Sequence, residues 1–175
     1  VSGRASVALV TCAAHPRLSP DDRLLLPALA AAGFDPVARQ WDSTDEAWES
    51  HAAVVVRSCW DYHLRPGEFH RWLDSLEHAG ARVFNPVPIL RWNADKAYLR
   101  ELEAAGLEVV PTAWVGENHG GSLAELVGGR GWRHAVVKPS ISATAYETWR
   151  VGPVITPEDE HRFHRLTRQG AVMVQ

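Results

Sequence analysis

Lys96 and Lys138, the only two lysines in the 175 residues, carry the most direct chemistry in this sequence. Lys138 ends a β-branched run, Ala135–Lys138, and Pro139 stops that strand. Ser140–Thr144 follows as small and hydroxyl-bearing residues. A lysine at the end of a buried strand, facing a loop of small residues, suits a phosphate. The ammonium supplies charge, and the loop brings backbone N–H groups close. The same stretch also reads as an edge strand with a solvated lysine and an ordinary hairpin loop. Lys96 lies in Asn93-Ala94-Asp95-Lys96, which reads as a helix start capped by Asn93. A helix N-terminus favours an anion, so a cation there calls for a negative neighbour. Two scarce lysines at the mouths of separate elements suggest two contacts to one polyphosphate. Taken singly, each also reads as a surface residue.

A second constellation is Arg57-Ser58-Cys59-Trp60-Asp61-Tyr62-His63, directly after the strongest β signal, Ala52–Arg57. Open α/β sheets place ligands at the carboxyl ends of their strands. Arg57 suits a carboxylate, Asp61 an amine, and Trp60 or Tyr62 a stacked group. The alternative is a packing loop in which Trp60 and Tyr62 fill space. Thr11, Cys12 and His15 follow the first strand and are candidates for the same crevice. Cys59 and His63 have i, i+4 spacing, but no second ligand pair accompanies them, so zinc is not supported. Gly128-Gly129-Arg130-Gly131 lacks the spacing of either phosphate-binding glycine motif and reads as a linker.

The elements that must position these groups alternate in the first half. Ser6–Thr11 is a buried strand. Ser19 caps a helix with Pro20 at its first position, running through Leu24–Ala32 to Gly33. Asp35–Gln40 is a strand, Thr44–Glu49 a short helix, and Ala52–Arg57 a strand. Pro66–Ala79 is an amphipathic helix with Phe69, Trp72, Leu73 and Leu76 on one face. Arg82–Phe84 is a short strand. This alternation predicts a parallel sheet with right-handed crossovers. Asn85-Pro86-Val87-Pro88 is a seam, dividing residues 1–88 from 89–175. Beyond it come a helix over Ala94–Ala105, a strand-like run at Val109–Val115 broken by Pro111, and a short helix at Leu123–Val127. Strands follow at Ala135–Lys138 and Thr148–Val151, then a helix from Pro157 capped by Thr156, then an apolar strand, Ala171–Gln175. Ending on an apolar strand predicts a domain cut short, the alternative being that this strand is the sheet's last member and the protein is complete.

With 46% hydrophobic residues the chain can bury a real core. A formal net charge of −3 gives no basic field for nucleic acid. No apolar run reaches membrane-spanning length and no leader is visible, so neither a nucleic-acid nor a membrane partner is expected. Two cysteines argue against a disulfide framework and for a reduced, cytoplasmic setting. Oligomeric state is left open, a homo-oligomer included.

Asn93–Lys96, Val109-Val110-Pro111-Thr112, Val136-Val137-Lys138-Pro139 and Val172-Met173-Val174-Gln175, in that order and spacing, resemble the front half of an ATP-grasp ligase. The chain is similar to the branch with glutathione synthetase and the ribosomal-protein glutamate ligases. The resemblance implies an α/β fold: a Rossmann-like preceding domain, then the N-terminal α+β nucleotide-binding lobe, with the second lobe missing. It implies that Lys96 and Lys138 hold ATP phosphates. It implies that a mobile loop containing Ser140, Ser142 and Ala143 folds over those phosphates, and that Met173, Val174 and Gln175 lead into the adenine hinge. The Arg57–His63 loop, with Arg57, Trp60, Asp61 and Tyr62, would help bind the acceptor. The implied chemistry joins a small-molecule carboxylate to an amine through an acyl phosphate. It uses ATP and Mg2+, with the metal ligands beyond Gln175, so this stretch alone would be inactive. Unlike the family loop, which is usually glycine-rich, Ser140–Tyr146 contains no glycine. A reading from another class is a non-catalytic α/β module that binds a small ligand or a partner chain.

Overall fold

The computed structural model describes residues 3–175. The chain forms two compact units, Val1–Ala94 and Asp95–Gln175.

The first unit is built on a four-stranded, all-parallel sheet. Its strands are β1 (Ser6–Thr11), β2 (Asp35–Gln40), β3 (Ala53–Ser58) and β4 (Val83–Phe84), in the order β2-β1-β3-β4. β1 is central and apolar on both faces because both faces are covered. Ala8, Val10 and Cys12 enter one buried cluster, and Val7 and Leu9 enter another with Leu18. The first cluster packs against α2 (Pro66–His78), which buries Phe69, Trp72, Leu73 and Leu76 as its spacing requires. Trp41, Trp48 and Trp72 join it, with Trp41 meeting the Phe69 ring edge-on at 5.4 Å. On the other face lie α1 (Leu25–Ala31) residues Leu25, Leu26 and Leu29.

Several local expectations are corrected here. The helix placed from Ser19 begins as a 3-10 turn, Asp22–Leu24, and becomes α-helical only at Leu25. Its N-cap is Asp21 rather than Ser19, although the Ser19 hydroxyl accepts the Asp22 N–H at 3.2 Å. Thr44–Glu49 is not a helix. A single 3-10 turn at Trp48–Ser50 drops Trp48 into the core instead. The seam residues Val87 and Pro88 open a helix, α3 (Val87–Ala94), where proline in the first turn gives up no hydrogen bond. The single helix expected over Ala94–Ala105 is two, because α3 ends at Ala94 and α4 spans Tyr98–Ala104. Asn93 is therefore inside α3 rather than a cap. The N-cap of α4 is Ala97, and the Asp95 carboxylate accepts the Ala97 N–H at 2.9 Å in the turn ahead of it.

The second unit holds an antiparallel sheet in the order β5-β8-β6-β7. Its strands are β5 (Ala113–Val115), β6 (Ala135–Pro139), β7 (Trp149–Val151) and β8 (Val172–Val174). Helices α5 (Leu123–Gly129) and α6 (Pro157–Thr167) cover one face. Val137, Val151, Val172 and Val174 point into that core with Leu123, Val127, Phe163 and Leu166. Strand alternation then puts Lys138 and Met173, directly paired across β6 and β8, on the opposite face.

Both covering helices start on strong caps. Thr156 and Asp159 form a reciprocal capping box on α6. The carboxylate of Glu160, on α6, accepts the Leu123 and Ala124 N–H groups at 2.9 and 2.8 Å and the Ser122 hydroxyl at 2.7 Å. It caps α5 from a neighbouring element. Burial raises the Glu160 pKa, but these hydrogen bonds outweigh it and the net shift is downward.

Candidate functional site

In the second unit, Lys96 and Lys138 line one cleft of about 580 Å³. Lys138 reaches it from the end of β6, and Lys96 from the turn before α4. Tyr98, Leu99, Leu102, Leu107, Val109 and Val110 form its apolar walls, and Gln175 lies at the strand side. The cleft thus combines two cations and one carboxylate, Glu108, with apolar walls. Burial lowers the pKa of both lysines, and for Lys96 the nearby Lys138 charge lowers it further. Two ammonium groups that disfavour each other, half withdrawn from water, favour an anion between them.

The lysines differ in what they already hold. Among the described residues, the Lys138 ammonium makes no hydrogen bond or ion pair. The Lys96 ammonium donates to the Ser142 carbonyl at 2.5 Å, the Ser142 hydroxyl at 3.1 Å and the Ser140 carbonyl at 3.4 Å. Its backbone N–H donates to the same Ser140 carbonyl at 3.0 Å. Ser140 and Ser142 are buried.

The loop after Ser142 takes a path that glycine usually provides. Thr144, Ala145 and Glu147 have φ of 51°, 57° and 48°, in the left-handed region. Each costs an L-residue about 1–2 kcal/mol. Two turns span the loop, Tyr146 N–H to Ala143 O and Thr148 N–H to Ala145 O. At its far end Glu147 pairs with Arg162 at 3.1 Å and with Arg165 at 3.7 Å.

Of the hinge residues named above, Val174 has its side chain in the hydrophobic core, and Met173 is fully buried on the opposite face. Gln175 donates from its amide to the Thr112 hydroxyl at 2.8 Å and lines the cleft.

The first unit has its own pocket, about 260 Å³, lined by Arg57, Cys59, Trp60, Tyr62, Asn85 and Asn93 among others. Arg57, Trp60 and Tyr62 are thus brought together. Asp61 is not among the lining residues. One of its oxygens accepts the Trp41 indole N–H at 2.7 Å, and the other pairs with Arg65 at 3.4 Å. Trp60 meets His15 edge-on at 5.0 Å, and the Tyr62 hydroxyl donates to the Ala94 carbonyl at 3.1 Å. Both cysteines are free and buried, and burial pushes the Cys59 thiol well above its usual range. A thiol so suppressed is a poor nucleophile.

Sequence reasoning missed Asp22. It reads as one of two acids in a helix's first turn, yet it is buried and accepts from Arg57 Nε at 2.8 Å and from the Ser58 hydroxyl. Burial raises its pKa, and the bonds from Ser58, Arg57 and Ser19 more than reverse that, leaving it lowered. Asn85 and Asn93, also at the pocket, mark only a seam and a cap in the sequence. No local signal marks Asp22, since its partners Arg57 and Ser58 lie on another element.

The family model for the N-terminal domain of D-cycloserine synthetase DcsG matches residues 7–85. The cycloserine biosynthesis protein DcsG of Streptomyces lavendulae is 29% identical over 171 residues, covering 96% of this chain and 57% of that protein. The crystal structure of D-cycloserine synthetase DcsG superposes with a TM-score of 0.86 at 29% identity, covering 98% of this chain and 59% of that one. D-alanyl-alanine synthetase A from Vibrio cholerae shares the fold at 13% identity, with a TM-score of 0.69 over 99% of this chain and 60% of that one. The chain therefore spans somewhat more than half the length of these relatives. Among the described residues no helix is long and apolar enough to cross a membrane. The parallel and antiparallel sheets together make a mixed α/β structure whose neighbours are ATP-grasp proteins, D-cycloserine-synthetase-like and D-alanine-ligase-like.

Proposed function

We propose that this chain is the front part of an ATP-dependent ligase that joins a small carboxylate to an amine through an acyl phosphate. The observation that carries the reading is the convergence of the only two lysines on one cleft with apolar walls. Lys96 and Lys138 would hold the phosphates and neutralise charge developing on the transferred group. The backbone of the Ser140–Tyr146 loop, Ser140, Ser142 and Ala143 included, would cover the phosphates and exclude water. The apolar walls and the Met173–Gln175 strand end would receive the adenine. Arg57, Trp60 and Tyr62 would bind the acceptor from a Rossmann-like preceding domain, with Asp61 orienting that loop through Trp41 and Arg65. Four motifs in order also fit the glutathione synthetase and ribosomal-protein glutamate ligase branch. The 29% identity to the cycloserine biosynthesis protein DcsG, across nearly the whole chain, favours small-molecule substrates.

Such a ligase uses Mg2+, which would neutralise the phosphates. Among the described residues no group of three His, Cys, Asp or Glu side chains is placed to hold a metal ion. The residues present do not fit that ion, and its ligands would belong to a part of the protein outside this chain.

The test is ATP titration in the presence of Mg2+, by calorimetry, against Lys138→Ala. Loss of one charge-assisted contact should cost about 1.5–3 kcal/mol, roughly a ten- to hundredfold weaker constant. An unchanged constant overturns the lysine assignment. The existence of a separate pocket at Arg57, wholly inside the first unit, favours one other reading: a small-ligand-binding module that needs no nucleotide. Binding of small carboxylates with no affinity for ATP would select it.

A further inference from the structure

Lys96 is committed to a loop in a way that nothing about a phosphate-binding lysine requires. Its ammonium has three donors, and all three distances to acceptors on the loop, from 2.5 to 3.4 Å, involve Ser140 and Ser142. Lys138, at the same cleft, makes no such contact among the described residues. Ser142 is in turn tied down, its hydroxyl donating to the Pro139 carbonyl at 3.3 Å. Beyond it, three of the four positions from Thr144 to Glu147 are left-handed without a glycine, a path that persists only when both ends are held. Arg162 and Arg165 hold one end through Glu147, and Lys96 holds the other.

We propose that Lys96 is a clasp: without ligand it fastens the 140–148 loop through Ser142, and a polyphosphate entering the cleft takes the ammonium and frees the loop to move. The proposal rests on the ligase reading for the identity of the anion, but not for the clasp itself. The exchange is favourable on simple grounds. Two carbonyls and a hydroxyl are neutral acceptors, and a phosphate oxygen makes a shorter and stronger charge-assisted bond. A polyphosphate also relieves the repulsion between Lys96 and Lys138, which the serines cannot do. The glycine-free loop then has a function. A glycine-rich loop would sit in the same conformation without strain and would need no clasp, whereas this one is released by losing a single cation.

The proposal makes the Ser142 oxygens competitors of the anion for the Lys96 ammonium, while the loop backbone can still close over the phosphates, and this sets the sign of the decisive experiment. Inorganic tripolyphosphate is titrated into wild type and Ser142→Ala. Removing the hydroxyl should tighten binding about threefold, and unchanged or weaker binding overturns the competition. Hydrogen exchange of peptides spanning 143–148 is then measured without ligand. Lys96→Met should speed exchange there about tenfold while β6 and β8 exchange as in wild type, and Lys138→Met should leave the loop unchanged. Equal loop exchange in Lys96→Met and wild type overturns the clasp. If wild type binds no tripolyphosphate, the nucleotide reading falls, and the ligand-free exchange still decides whether Lys96 holds the loop.

Discussion

The buried carboxylate of Asp22 grips Arg57 Nε at 2.8 Å across 35 residues of sequence. It leaves the two terminal nitrogens of that guanidinium without a protein partner among the described residues. Nε is the side of the fork turned to the protein, so the terminal pair is what the pocket can use. A half-exposed arginine rarely holds one orientation by itself, and here a buried anion imposes one. Asp22→Asn should destabilise the first unit by about 1–3 kcal/mol in urea melts, since the amide gives up a charge-assisted acceptor. The pH dependence carries the same sign. The native pKa is lowered, so the stabilisation is complete above about 3.8 and disappears as pH falls through the lower native value. Wild type should lose this increment in acid, and Asp22→Asn should not.

Polyphosphate binding should take up protons. The native pKa of each cleft lysine lies below 10.5, and an anion between them raises both. Calorimetry at mildly alkaline pH, in buffers of different ionisation heat, should show net proton uptake, and less of it in Lys138→Met. In the ligand-free chain the unfolded state binds more protons between the native pKa and 10.5. These lysines therefore add stability as pH rises through that window.

Ala145→Gly should not harm the fold. The left-handed φ of 57° costs alanine about 1–2 kcal/mol, and glycine adopts it freely at an entropic cost of about 0.5–1 kcal/mol. The expected net effect is a gain of up to about 1 kcal/mol in thermal unfolding. A clear loss would show that the alanine methyl is needed.

Glu160→Ala should cost about 1–2 kcal/mol, the upper range for a lost helix cap, because two N–H groups of α5 and the Ser122 hydroxyl lose their acceptor together. Glu160→Gln should recover part of it. Thermal melts of the three proteins separate the hydrogen bonds from the charge.

Much of the scaffold is legible along the chain. The run SVALVT implies a strand covered on both faces, and β1 is central in its sheet. The 3.6-residue spacing of Phe69, Trp72, Leu73 and Leu76 names the buried face of α2. Thr156 and Pro157 mark the start of α6. These signals survive because periodicity and caps involve neighbours within about four residues. The break between α3 and α4 is not legible. Ala94–Ala105 has helical composition throughout, and the turn at Asp95–Ala97 is stabilised in part by Lys96 N–H bonding to Ser140, far along the chain.

The scarcity of lysine and the position of each at the end of an element are properties of the sequence, and from them alone follows the idea of one shared anion. Strand register decided which side of the second sheet Lys138 occupies. Tertiary packing decided that Lys96 directs its charge at Ser142 and that Asp22 steadies the pocket arginine, while Asp61 bonds Trp41 and Arg65. The Lys96–Ser142 and Asp22–Arg57 pairings join residues 46 and 35 positions apart. Contacts of that span form only after the sheets assemble, so no local pattern of residue types can encode them.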